Sequence, residues 1–210
     1  MIRVILNVKS SESRTSSAVG SSQADKAASH ERIVKVASRR IRRDGIENIG
    51  VAELMHQAGL AHGGFYRHFD SRDELVAEAT DAALAQGSER VQAAAKLGAP
   101  AALTAIIDGY LSRLHRDKPE TGCAVAALPT DVARAGPHAR AAYSRQVRSY
   151  VELLAGLTPS GEPDDAYLIL AALVGALVVS RAVDDHGLSD EILDRASRAL
   201  HGYVDDAHQA

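Results

Sequence analysis

One cysteine in 210 residues, Cys123, excludes an intramolecular disulfide and suits a reducing compartment. Alternating apolar and polar residues, the mark of a half-buried strand, occur nowhere along the chain, so a sheet architecture is not expected. Long hydrophobic runs are also scarce. The most apolar stretch, AYLILAALVGALVV at 166–179, falls short of the roughly 20 residues that cross a bilayer, so a buried helix is expected there and no membrane association. The opening residues MIRVILNVKS hold a short apolar run, but Asn7 and Lys9 interrupt it and no small-residue cleavage pattern follows, which argues against a signal peptide. Nine histidines form no metal-ligand cluster: His56, His62 and His68 are spaced by six, which sets them on different helices. Neither a metal nor a cofactor is expected.

What the chain does have is an uneven charge. The formal net charge is -3, yet residues 1–72 hold 12 Lys and Arg against 7 Asp and Glu, whereas residues 73–210 hold 12 against 20. A basic end attracts phosphate over about a Debye length, and an acidic body can sit farther away than that. With 46% hydrophobic residues the chain can bury one sizeable core or two small ones. Residues 10–29 are serine-rich and nearly free of large apolar side chains, so residues 1–29 are expected to form a flexible tail. A basic arm along a nucleic acid is the alternative, with only Lys9, Arg14 and Lys26 to serve it.

Residues 51–75, VAELMHQAGLAHGGFYRHFDSRDEL, place three helix boundaries within a short span. Val51, Leu54, Met55 and Ala58 recur at helical spacing, Gly59 provides a left-handed stop, and Leu60 folds back onto the helix just closed. A second helix over 61–69 turns Phe65 and Phe69 inward and His62, Tyr66 and Arg67 outward. Gly63 and Gly64 each cost roughly 1 kcal/mol there against alanine, which implies either close approach by another surface or tight packing on the preceding helix. Ser71 to Glu74 match a capping box in which Ser71 accepts from the Glu74 amide and Glu74 reaches back to the Ser71 amide. Two short helices around such a turn have helix-turn-helix geometry. Upstream, a helix over 30–44 has Ile33, Val36, Ala37 and Ile41 inward, ends at Gly45, and carries Lys35, Arg39, Arg42 and Arg43 as either a solvated face or phosphate contacts.

These residues, Gly59-Leu60, Gly63, Phe65-Tyr66-Arg67-His68-Phe69 and Ser71-Arg72-Asp73-Glu74-Leu75, with Ile33 to Ala37 and Gly45 upstream, resemble the DNA-binding signature of the TetR/AcrR family of bacterial transcriptional regulators over residues 30–84. The resemblance implies that His62, Gly63, Gly64 and Arg67 meet base edges, Arg67 offering a fork suited to guanine O6 and N7. It implies that Tyr66, His68 and Arg72 grip phosphate or brace the helix. Gly50 stands where the family commonly has a capping Ser or Thr that touches phosphate, Ala52 has no polar reach, and His62 stands where Lys is frequent.

The rest of the chain reads as helices. Residues 103–114 keep the helical period up to Pro119, 122–135 form a helix that Pro129 kinks or splits, and Pro137 opens one bearing Ala141, Val147, Tyr150, Val151 and Leu154. A last helix starts at Ser189. The apolar surface of the final two helices exceeds what one protomer covers, and the resemblance implies that they pair with their copies in a four-helix bundle. Leu168, Ala172, Gly175, Ala176, Ile192 and Leu200 are the candidates for that interface. Polar groups on apolar faces, Tyr110, His115, Cys123, Tyr143 and Tyr150, with Asp108 or Arg134, are candidates for a small-molecule pocket. Cys123 after Gly122 at a helix start leaves open the sensing of an oxidant or electrophile.

The expectation is an all-α protein with a three-helix helix-turn-helix domain at 30–75 and a helical ligand-binding and dimerisation domain at 76–210. It is expected to be a cytoplasmic homodimer on double-stranded operator DNA, most simply a repressor released by a small-molecule effector, and not an enzyme. The competing readings are a hydrolase built on Cys123 and His115, which lacks a visible orienting group and oxyanion site, and an adaptor that binds another protein through the apolar helices.

Overall fold

The computed structural model describes residues 15–158 and 161–209, and every regular element among them is helical. The order is α1 (Thr15–Asp44), α2 (Val51–Gln57), a 3-10 segment (His62–Arg67), α3 (Arg72–Ala95), α4 (Ala101–Tyr110) and α5 (Arg113–Asp117). After a 3-10 turn (Pro119–Thr121) come α6 (Ala124–Ala127), α7 (Pro129–Arg134), α8 (Pro137–Ala155), α9 (Pro163–Ala182) and α10 (His186–Gln209).

Local chemistry sets the breaks. Gly45 (φ +83) and Gly59 (φ +73) stop α1 and α2 in the left-handed region. At Gly59 the stop is a Schellman motif: its amide donates to the His56 carbonyl, and the Leu60 amide to the Met55 carbonyl, both at 2.9 Å. Ser71 caps α3 by accepting from the Glu74 amide at 3.1 Å. The return bond differs from a standard capping box, because the Glu74 carboxylate accepts from the Asp70 amide at 2.6 Å, one residue before Ser71.

Three expectations need correction. The serine-rich stretch is not a tail throughout: α1 begins at Thr15, and residues 23–28 are an exposed extension of the helix. Alanines 24, 27 and 28 favour propagation from the packed turns beyond them, and propagation costs less than nucleation. The tail expected over residues 1–14 lies outside the described residues. The helix expected over 103–114 is two, since the Ser112 hydroxyl caps α5 by accepting from the His115 amide. On α8 Ala142 rather than Ala141 is buried, while Pro129 splits the helix before it into α6 and α7, one of the two outcomes expected there.

Packing joins the two ends of the chain. A single cluster of buried side chains runs from Ile33 and Ile41 through Leu54, Phe69 and Leu75 to Leu103, Leu173 and Leu193. The helix α3 is its axis, packing on α1 near its start and on α8, α4 and α6 beyond. Its row at every fourth position, Leu75, Ala79, Ala83, Gly87 and Val91, drifts by about 40° per step, because four residues overshoot one turn. One ridge therefore serves several partners in succession. The boundary expected at residue 75 falls inside this helix. Helix α9 is long and apolar enough to span a bilayer by length and composition, but Ala166, Ile169, Leu170, Leu173 and Leu177 bury its inner face in the core.

Candidate nucleic-acid interface and interior cavity

The segment between α2 and α3 is held by three stacked rings. Phe69, 1% exposed, lies 4.5 Å from His30 and 5.5 Å from Phe65 between ring centroids, both pairs stacked, and His30 Nε2 is 2.6 Å from Glu78 Oε2 of α3. Those contacts fix the inner side of the segment and leave the outer side bare: His62, Gly63, Tyr66 and Arg67 are exposed, Tyr66 by 78%. An α-helix was expected over 61–69. The structure has a 3-10 helix over His62–Arg67, with the His68 amide bonded to the Phe65 carbonyl at 2.9 Å, consistent with two glycines that weaken α-helical order. Packing does not require those glycines. A Cβ on Gly63 would meet nothing within 4 Å, and one on Gly64 would meet only Met55 Cε at an ordinary 3.7 Å.

Several polar residues expected at this surface do other work. The Arg72 guanidinium donates to the Ile46 (2.8 Å), Glu47 (3.2 Å) and Ile49 (3.5 Å) carbonyls, so it braces the α1–α2 connection. His68 is half-buried with a buried Nδ1 that has no hydrogen-bond partner, and burial, followed by the positive charge of His30, lowers its pKa from 6.5. It is a packing residue. Gly50 caps α2 without any side-chain bond. Of the basic row on α1, Lys35 and Arg39 are exposed, Arg43 pairs with Asp44 at 2.8 Å, and Arg42 is only 4% exposed. Arg42 points inward, donating to Gln86 Oε1 of α3 (2.8 Å) and to the Gly122 carbonyl (3.3 Å).

That carbonyl belongs to the wall of a cavity of about 430 Å³ between α3, α4 and the α5–α6 connection. Facing positions are small, Ala94 on α3 and Ala105 and Gly109 on α4, which leaves the space, while Gly87 makes room for the Tyr150 hydroxyl, 2.7 Å from where a Cβ on Gly87 would stand. Small residues at helical spacing on two successive helices were the signal for it in the sequence. Tyr110 and Cys123, both buried, form its floor, and the exposed Leu114 and Lys118 its rim. His115 Nδ1 lies 2.7 Å from the Tyr110 carbonyl and Nε2 accepts from the Cys123 amide at 2.8 Å, which places the ring proton on Nδ1. Gly122 is required here, since a Cβ would lie 2.8 Å from the imidazole. Arg181 of α9 completes the floor's support by donating to the His115 and Arg116 carbonyls, and burial lowers its pKa.

Tyr110, His115 and Cys123 thus converge as expected, with Tyr150 behind them, its hydroxyl 3.8 Å from Cys123 Sγ. Tyr143 does not join them. Its hydroxyl donates to the Val125 carbonyl at 2.7 Å, and burial pushes its pKa up to about 12. Asp108 pairs with His201 at the surface and Arg134 is exposed. The imidazole of His115 spends both nitrogens on backbone groups, so it cannot serve the Cys123 thiol as a base, which removes the geometry a cysteine hydrolase needs. Nor does a helix dipole favour the thiol much, because α6 has only four residues.

On α9, Leu168 (52% exposed) and Gly175 lie on an open face with Tyr167 and Val179. Ala172 and Ala176 are partly buried against their own core, and Ile192 is half-buried. Leu200 is 5% exposed within the protomer, so it belongs to the internal α9–α10 packing and not to a free face.

An exposed segment after a Schellman turn, seated on α1 and α3, defines a helix-turn-helix DNA-binding regulator. Residues 33–79 match the family model described as bacterial regulatory proteins, tetR family. The fold extends the likeness. Reduced NemR from E. coli is 19% identical with a TM-score of 0.70, covering 83% of this chain and 97% of that one. A TetR-family regulator from Agrobacterium tumefaciens is 18% identical with a TM-score of 0.72, covering 85% and 98%, and one from Cytophaga hutchinsonii is 15% identical with a TM-score of 0.71, covering 85% and 96%. No curated protein sequence matches the chain. Residues 33–79 thus form a DNA-binding domain of the TetR type, and the chain as a whole has the fold of these TetR-family structures.

The lowered pKa of His68 gives the head a pH dependence. Because the folded state resists protonating this ring, its contribution to stability is complete above about pH 6.5 and is lost as pH falls below that toward the folded value. Denaturant unfolding between pH 7.5 and 5 is expected to show the decline, and His68→Phe to flatten it; parallel curves for the two proteins would show that another group is responsible.

Proposed function

We propose that the chain is a cytoplasmic homodimeric repressor that binds a pseudo-palindromic operator and is released when a small molecule enters the cavity. The likeness to TetR-family structures supports the class, and the open face of α9 around Leu168 and Gly175 supports pairing with a second copy. Two recognition segments in such a dimer read half-sites one or more helical turns apart, with His62, Gly63, Gly64 and Arg67 over base edges and Tyr66 at the backbone.

Release rests on one observation, the buried bond from Arg42 of α1 to the Gly122 carbonyl in the cavity wall. A buried guanidinium holds its acceptors at a premium, so a wall displaced by a ligand draws α1 with it. Arg42 also holds Gln86 of α3, which makes both helices beneath the recognition segment sensitive to that wall. The ligand can shift the equilibrium only by the difference in its affinity for the two arrangements.

The operator is obtained by selecting bound fragments from genomic DNA, and affinities are then read by fluorescence anisotropy. Arg67→Ala is expected to weaken operator binding by about 1–3 kcal/mol while nonspecific binding changes little. Gly63→Leu, which meets open space in the free protein, should leave thermal stability nearly unchanged and still reduce affinity for DNA; full affinity would show that no surface approaches there. Gly175→Trp should give monomers in sedimentation with poor operator affinity, and an intact dimer would place the interface elsewhere.

Coupling is tested without any ligand. Gly122→Ala forces the wall away from the His115 ring and is expected to lower operator affinity by about 1–3 kcal/mol. Arg42→Met should abolish most of that effect in a double-mutant cycle, and simple additivity would disconnect the wall from the head.

A further inference from the structure

The Tyr110 hydroxyl is the one polar group on the cavity floor without a described partner. The residue is 8% exposed, and its oxygen is buried with no hydrogen bond among the described residues. Burial, then the charge of the neighbouring Cys123 and hydrogen bonding toward its sulfur, raise the pKa well above 10; the sulfur is a weak acceptor and does not stand in hydrogen-bond geometry, so the hydroxyl keeps its proton and stands as a donor. A buried donor left unmet by protein is a place for a ligand acceptor.

The acceptors nearest it each already hold a hydrogen bond, and the Ser112 and Thr121 hydroxyls of the lining stand with the connection between α4 and α6. The Tyr110 carbonyl accepts from His115 Nδ1, the Gly122 carbonyl from Arg42, the Cys123 carbonyl from the Ala127 amide, and His115 Nε2 from the Cys123 amide. The Cys123 thiol is directed at the Tyr150 hydroxyl. A ligand oxygen that reached this floor would therefore find a donor and little to receive a proton of its own. Above it the walls are apolar, with Val91, Ala94, Ala105 and Ile106; the lining contains no Asp or Glu to attract a cation, and its one cationic side chain, Lys118, is exposed at the rim and not among the apolar walls.

We propose that the effector is an uncharged apolar carbonyl compound whose oxygen, leading into the cavity, accepts a hydrogen bond from the Tyr110 hydroxyl. This identification rests on the effector reading above, but it is a statement about binding and can be tested apart from DNA. A carbonyl oxygen exchanges its hydrogen bonding to water for the one from Tyr110, whereas an alcohol in addition buries an O–H that has few acceptors to meet.

The test uses three probes of one shape, 2-acetylnaphthalene, 2-isopropenylnaphthalene and 1-(2-naphthyl)ethanol, titrated into the full chain by calorimetry. The ketone is expected to bind about five- to ten-fold more tightly than the alkene, one net hydrogen bond, and more tightly than the alcohol. Tyr110→Phe should erase the preference of ketone over alkene while leaving alkene binding unchanged. Gly109→Leu, a second variant that fills the cavity from α4 where a Cβ meets nothing within 4 Å, should abolish binding of all three. Equal affinities of ketone and alkene for the parent chain, a tighter alcohol, or a preference that survives Tyr110→Phe would each overturn the proposal. Anisotropy with the selected operator separates the two readings. A ketone that binds through Tyr110 yet leaves DNA bound supports the ligand class and sinks release from this cavity.

Discussion

Everything in the molecule depends on α3 being one uninterrupted rod. It starts at the Ser71 cap directly after the recognition segment and ends beside the cavity, and its fourth-residue ridge turns from α1 toward α4 as it goes. Where that ridge carries Leu75, Ala79 and Ala83 it is fully packed, and at Gly87 the missing side chain admits the Tyr150 hydroxyl, which a Cβ would meet at 2.7 Å, beside the cavity. The same repetition thus serves the core at one end and the cavity wall at the other. The helix of 24 residues joins the recognition segment to the cavity without a break.

A second connection runs through polar groups. Arg181 of α9 holds the His115 carbonyl, the His115 ring holds the Cys123 amide, and the adjoining Gly122 carbonyl holds Arg42 of α1. Each link is a buried or half-buried bond between different elements, and such bonds are costly to break singly because the group left behind is desolvated. Apolar packing at Ile33, Ala37 and Ile41 seats α1 on the body, and this chain of bonds adds directional contacts to it. It also starts on the helix whose opposite face is open, so the surface proposed for a second copy and the DNA-reading head lie at the two ends of one network.

The basic end of the chain reads differently once folded. Its excess of Lys and Arg suggested a face for phosphate, yet Arg42 and Arg72 spend their charge on carbonyls and on Gln86, while Arg40 and Arg43 pair with Asp44. Arg67 is left outward at the end of the recognition segment, making no hydrogen bond or ion pair among the described residues, with the bare backbone of Gly63 before it. On the proposed reading the head would meet DNA with few side chains, and the two glycines would let the backbone approach.

Sequence alone determined the all-helical class, the turn at Gly59, the inward Phe65 and Phe69 and the outward Tyr66 and Arg67, because these follow from spacing and from backbone preferences within a few residues. It also brought Tyr110, His115 and Cys123 into consideration together, since they lie close along the chain. Only the tertiary structure decided which way Arg42 points, that Tyr143 is spent on Val125 and Leu200 on its own core, and that small residues on α3 and α4 face one another. Those outcomes depend on which helices meet, over separations of up to some 80 residues, as from Arg42 to Gly122. A long side chain has the same local preferences whether solvent or a carbonyl waits at its tip, and packing alone tells them apart.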